Sequence, residues 1–132
     1  MAIDPGFAQR LARLIQEERT GLQGFIALLR REEALLIATQ IDALASLAEE
    51  KTALYRTLQR LSDERVVMFA RLGAAVNDAN IRVVLADLPD ALGAWQEVVS
   101  LAAEARERNR VNGQLITERL QNNQQALSVL LA

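Results

Sequence analysis

Apolar residues recur along this chain at helical spacing. Over about residues 7–38 they fall at Leu11, Leu14/Ile15, Leu22, Phe25/Ile26, Leu28/Leu29 and Leu35/Leu36, interrupted at Glu18 and Glu32. A repeat of about 3.5 residues without internal proline predicts one long amphipathic helix. Over about residues 42–72 a second stripe reads Leu44, Leu47, Lys51, Leu54, Leu58, Leu61, Arg65, Met68 and Leu72, and Gly73 follows in the place of a C-terminal cap. A third stripe opens at Leu88-Pro89-Asp90 and runs to about residue 131. In alternating steps of four and three it reads Leu88, Leu92, Trp95, Val99, Ala102, Arg106, Asn109, Gly113, Ile116, Leu120, Asn123, Leu127 and Leu130. Pro89 suits a first helical position, where its missing N–H is not needed.

Between the first two stripes, Thr39-Gln40-Ile41-Asp42 carries the weakest helical signal, and Thr39 or Asp42 is the expected cap of a new helix. Folding the stripes back about this point makes facing residue numbers sum to about 83. Leu11 then meets Leu72, Phe25 meets Leu58 and Leu36 meets Leu47. Glu18 falls opposite Arg65, and Glu32 opposite Lys51, the only lysine. Both interruptions of one stripe find an opposite charge in the other, which argues for this register; such seam charges specify pairing more than they add stability. Gly21 and Gly24, inside the first helix, mark a close helix crossing or a hinge.

Residues 74–87 are the loosest stretch. Asn77-Asp78-Ala79-Asn80 reads as a turn, and Ile81–Leu85 as one helical turn or an extended tie across the bundle end. The expectation is an all-α fold: an elongated antiparallel three-helix coiled-coil bundle with a long C-terminal helix. The helical hairpin spans about 7–73, the connection about 74–87 and the last helix about 88–131, in a single domain. The hairpin helices would be about 45 Å long and the third over about 60 Å at 1.5 Å per residue. Roughly the last ten residues of the third helix should outrun the hairpin, and they carry leucines with nothing obvious to cover them. On this reading the last helix organises the chain and the hairpin braces it.

Composition supports helix: hydrophobic residues make up 51% and aromatic residues only 4%. There is no cysteine and no histidine, so no thiolate zinc site, no Glu-x-x-His di-iron motif and no histidine general base is available. The isolated glycines form no phosphate-cradling loop. An enzyme is not expected, nor any cofactor. A net charge of −2 gives no broad attraction to nucleic acid. No apolar stretch approaches the roughly 20 residues that span a bilayer, and the first residues lack the basic and apolar regions of a signal peptide, so a cytoplasmic location without membrane insertion is expected. Arg106, Arg108 and Arg110 are diluted by Glu104 and Glu107 and read as a solvated face. After Arg119 no charged residue occurs, and the polar face there is amide. That tail reads either as a fraying end or as a segment that orders against a partner helix.

Several strings together resemble the FlgN-type flagellar export chaperones. They are Leu28-Leu29-Arg30-Arg31-Glu32-Glu33-Ala34-Leu35-Leu36, the run from Asp42 through Glu49-Glu50-Lys51 with Leu54, Leu58 and Leu61, and Leu88-Pro89 with Trp95. The most telling is Asn109-Arg110-Val111-Asn112-Gly113-Gln114-Leu115-Ile116 followed by Arg119-Leu120. The resemblance implies a small cytoplasmic chaperone that binds the C-terminal region of hook-associated proteins, the hook–filament junction subunits. It implies that the chaperone keeps them unpolymerised and brings them to the flagellar export apparatus. It places the substrate contact in the C-terminal part. The residues expected there are Asn109, Asn112, Gly113, Leu115, Ile116, Leu120, Asn123, Gln124, Leu127 and Leu130, with leucine and isoleucine as anchors and amides at the rim. The rival reading is a structural adaptor in which the distal stripe closes a homodimer.

Overall fold

The computed structural model describes residues 3–131, with the side chains of Ile41, Leu120 and residues 123–131 outside the description. Four helices follow in order: α1 (Pro5–Ile37), α2 (Ile41–Arg71), α3 (Asp78–Val84) and α4 (Pro89–Leu131). No strand occurs among the described residues, and no helix there is long and apolar enough to cross a membrane.

Local chemistry sets the ends. Asp4 caps α1, its side chain accepting from the Phe7 N–H at 2.7 Å, with Pro5 at the first helical position. Both hairpin helices end in Schellman turns. In the first, the Gln40 N–H reaches the Leu35 carbonyl at 2.9 Å and the Thr39 N–H reaches that of Leu36 at 3.3 Å, with Thr39 at φ 58°. In the second, the Ala74 N–H reaches the Phe69 carbonyl at 3.2 Å and Gly73 takes φ 70°. Gly73 is where a cap was expected. The expected caps Thr39 and Asp42 are not: Gln40 stands at the N-terminal cap of α2 without a side-chain bond, because Thr39 is used to end α1.

The connection is more regular than expected. Asn77 caps α3, accepting from the Asn80 N–H at 2.8 Å. α3 makes about two helical turns and puts Ile81, Val84 and Leu85 into the core. There they join Phe7, Leu11 and Ile15 of α1, Phe69 of α2, and Trp95 of α4. Phe7 and Phe69 meet edge to face at 5.6 Å.

α1 organises the molecule, where α4 was expected to. α1 packs along both α2 and α4, whereas α2 and α4 make few close backbone approaches to one another. α1 also supplies most of the large buried side chains. The chain runs up, down and up, so α1 and α4 are parallel: Arg19 pairs with Glu97, Arg30 with Glu104, and Arg119 with the Ile37 carbonyl.

The buried face of α4 is one position off the expected stripe beyond Trp95. It runs through Ala91, Ala94, Trp95, Val98, Ala105 and Asn112, while Val99, Arg106, Asn109, Gly113 and Ile116 are exposed. The physical reason is size. α1 presents Phe, Leu and Ile knobs, and small residues on α4 such as Ala91, Ala94 and Ala105 let the two backbones come together, while the adjacent Val98 and Val99 are identical and do not mark the seam.

Gly21 sits at a close crossing: a β-carbon there would stand 2.9 Å from a Leu58 methyl. Of the two readings offered for this glycine, the crossing is the one the packing requires. Gly24 has ordinary room, 3.6 Å from Leu54.

Candidate functional site

The hairpin-turn end of the bundle combines a polar clamp with an open apolar surface. The clamp is built by all three long helices. Lys51 of α2 donates to both carboxylate oxygens of Glu32 on α1, at 3.1 and 3.2 Å. Asn112 of α4, with no exposed surface, donates through Nδ2 to Glu32 Oε1 at 2.8 Å and to the Leu29 carbonyl at 2.9 Å. Glu32 is itself 5% exposed, so its charge is satisfied by three donor contacts instead of water. The flank carries looser pairs: Arg31 with Glu50 at 3.4 Å, and Arg108 with Glu104 at 3.4 Å and Glu33 at 3.9 Å.

A second polar chain lies at the other end. Glu18 of α1 accepts from Arg65 of α2, and the Arg65 guanidinium stands 5.2 Å above the Trp95 ring. The Trp95 Nε1–H donates to Asp78 at 2.8 Å, and Asp78 also accepts from Arg82 at 2.8 Å. Burial pushes the Glu18 carboxyl above the usual glutamate range, against the opposing pull of Arg65. Hydrogen bonds from Arg82 and then Trp95 hold Asp78 below the usual range. The pairs Glu18–Arg65 and Glu32–Lys51 thus occur where residue numbers sum to 83.

Beyond the clamp, α1 stops and α4 continues. The Arg119 guanidinium donates to the Ile37 carbonyl at 3.1 Å, which levels Arg119 with the end of α1. From there α4 runs on to Leu131, about 18 Å further at 1.5 Å per residue. Around this step Ile37 is 61% and Ile116 39% exposed, and Leu115 is half-buried. A shallow recess on the α1–α2 side of the same end is lined by Ala34, Leu35, Ala38 and Leu47. The arrangement offers apolar area beside a rigid clamp. Among the described residues no group of three potential metal ligands occurs.

The expected contact residues are dispersed by this geometry. Asn109, Gly113 and Ile116 are on the open face of α4. Among the described residues nothing lies within 4 Å of a β-carbon placed on Gly113, so it serves no close crossing there. Asn112, expected at the rim of a partner site, is instead interior and bonds to α1. Leu120, Asn123, Gln124, Leu127 and Leu130 fall outside the described side chains. The clamp role of Asn112 and the Trp95–Asp78 bond are the features missed in the sequence. Asn112 was legible only with the correct α4 register, in which it falls opposite Glu32.

A family model described as FlgN protein matches residues 1–132. Two relatives, from Yersinia enterocolitica serotype O:8 / biotype 1B and from Yersinia enterocolitica, are each named Flagella synthesis protein FlgN. Each is 26% identical over 124 residues, covering 92% of this chain and 80% of the relative. No solved structure matches.

Proposed function

The chain belongs to the FlgN family, and on that premise we propose that it is a cytoplasmic flagellar export chaperone. It binds the C-terminal helical region of hook-associated proteins, keeps them unpolymerised and delivers them to the export apparatus. The relatives' name, Flagella synthesis protein FlgN, supports the flagellar setting. The observation that carries the reading is the run of α4 past the end of α1. Beyond Arg119 the sequence is uncharged and repeats leucine at helical spacing. A helix that extends past its own bundle offers a second amphipathic helix a place to pack, the helix-in-groove mode.

In this mechanism, Leu115 and Ile116 start the apolar track at the bundle, and Leu120, Leu127 and Leu130 continue it. Asn109, Asn123 and Gln124 supply rim hydrogen bonds. The clamp of Glu32, Lys51 and Asn112 holds the base of the distal segment, so binding does not require the bundle to reorganise. Affinity comes from apolar area removed from water and needs no nucleotide or metal. Release follows from competition at the export machinery.

Hydrogen exchange on the full chain tests this, with and without a C-terminal fragment of a hook-associated protein. Exchange after about Arg119 should slow on adding the fragment, and truncation after Arg119 should abolish binding while leaving the melting transition in place. Undiminished binding by the truncated chain would sink the assignment of the site. Protection of the distal segment in the free protein, with a solution mass of two chains, would favour the homodimer.

A further inference from the structure

At the end of the hairpin away from the turn, the N-terminal half of α1 and the C-terminal half of α2 enclose an open groove of about 890 Å³. Its apolar lining includes Leu14 and Met68, with Tyr55 57% and Val67 49% exposed. Its rim is basic. Arg10, Arg13, Arg56 and Arg71 line it, and none of them forms an ion pair among the described residues. The only other basic side chains without an ion pair there are Arg106 and Arg119. Unpaired positive charge is therefore concentrated on this groove, in a chain whose net charge is −2.

We propose that the groove between α1 and α2 binds an amphipathic helix of a partner protein whose apolar stripe is flanked by acidic residues. The apolar floor sets the stripe, and the four arginines set the flanks. The lining from Tyr55 to Arg71 measures about 24 Å along α2, enough for a helix of roughly sixteen residues. Tyrosine and arginine are the side chains that most often anchor such contacts. Mixed charge argues against a polyanion: Glu17, Asp63 and Glu64 stand in the same groove, and Glu64 already holds Arg60 at 2.6 Å. On α4 of a second copy, Glu97, Glu104 and Glu107 are each paired to arginines of their own chain, which leaves only Asp90 and Glu118, about 42 Å apart along the helix, as acidic residues without an ion pair among the described residues. The surface is separate from the distal segment of α4, so this proposal does not depend on the chaperone site.

The probes are two labelled helical peptides of about sixteen residues, one with a leucine stripe flanked by glutamates and one with lysines in their place. The readouts are fluorescence anisotropy and hydrogen exchange on the full chain. The glutamate peptide should bind at least roughly tenfold more tightly than the lysine peptide and slow exchange at residues 10–17 and 55–71. The double variant R13E/R56E should weaken it by roughly tenfold, with the melting temperature unchanged; R13Q/R56Q, a milder change at the same sites, and Y55A should do so to a smaller extent. Equal binding of the two peptides, no binding, or protection confined to other segments would overturn the proposal. So would a preference for short DNA or phosphatidylglycerol vesicles lost in the same variants, which would assign the surface to a polyanion.

Discussion

Asn112 has two amide N–H donors and one acceptor oxygen, in a position with no exposed surface. The donors are used on the Leu29 carbonyl and Glu32, and Oδ1 has no partner. A leucine would fill such a space at lower desolvation cost, so the amide is retained for what it fixes: the height of α4 against α1, at the layer where Lys51 fixes α2. Asn112→Ala should therefore destabilise the chain by about 1–3 kcal/mol, the cost of leaving buried acceptors without a donor. Urea unfolding measures it, and an unchanged midpoint would mean that water replaces the amide. Glu18 poses a different residue-scale question, because its carboxyl is buried beside an arginine and its pKa is raised by that burial. The folded chain thus holds this proton more tightly than the unfolded chain. Folding takes up a proton between the ordinary glutamate value and the raised one, and this group's contribution to stability falls as pH rises through that window. Glu18→Gln removes the titration. Its stability relative to the parent chain should increase with pH across the window, read as the difference between two urea-derived profiles. A difference that is flat or declines with pH would show that Arg65 outweighs burial.

Helix ends and glycines carry the argument at the level of the element. α1 and α2 close with the same turn, but Gly73 occupies the left-handed position in one and Thr39 in the other. A β-branched residue there is strained by roughly 1–2 kcal/mol, and glycine gives back part of that through its looser unfolded state. Thr39→Gly should raise stability by about 0.5–1 kcal/mol, visible as a higher melting temperature. Gly113 is the opposite case: it lies inside α4, exposed, with nothing near its missing β-carbon among the described residues. Gly113→Ala should stabilise the free chain by about 1 kcal/mol. If it destabilises instead, the helix bends there in solution. These elements also show what was legible beforehand. The hairpin register was, because two charged interruptions had to find partners and only one fold-back point matched both. The α4 register was not: Val98 and Val99 rank equally on hydrophobicity, and the α1–α4 seam continues through the small Ala105 and the polar Asn112, which give little apolar signal. The left-handed turn at Thr39 carried no glycine to announce it, and the α3 helix was too short for periodicity to speak.

At the scale of the whole molecule the asymmetry of the bundle decides how it comes apart. α1 is covered on two sides, but the other two long helices lean on α1 and hardly on each other. Their holds on it differ. α4 together with α3 contributes Ile81, Val84, Leu85, Ala91, Ala94, Trp95, Val98 and Ala105 to the contiguous core. Among the described residues, the fully buried apolar side chains of α2 are Leu47, Leu61 and Phe69, and its middle turns are joined to α1 by Lys51, Leu54 and Leu58 at partial burial. Removal of apolar area from water is the main force that holds a helix in place, so α2 is the element with least to lose on detaching. Native-state hydrogen exchange should then show amides near residues 50–60 opening at lower free energy than those of residues 11–29 and 91–105. The latter two segments should exchange together, because each is the other's main cover. A mild substitution at the α1–α2 contact, Leu58→Ala, should widen that gap, leaving a core of α1 with α3 and α4 that still buries Trp95. The intrinsic fluorescence of this single tryptophan would then persist through the first transition and change in the second. If all three segments open at one free energy, with tryptophan emission tracking helix loss throughout, the bundle is one cooperative unit and the charged pairs bind α2 more tightly than its buried area suggests.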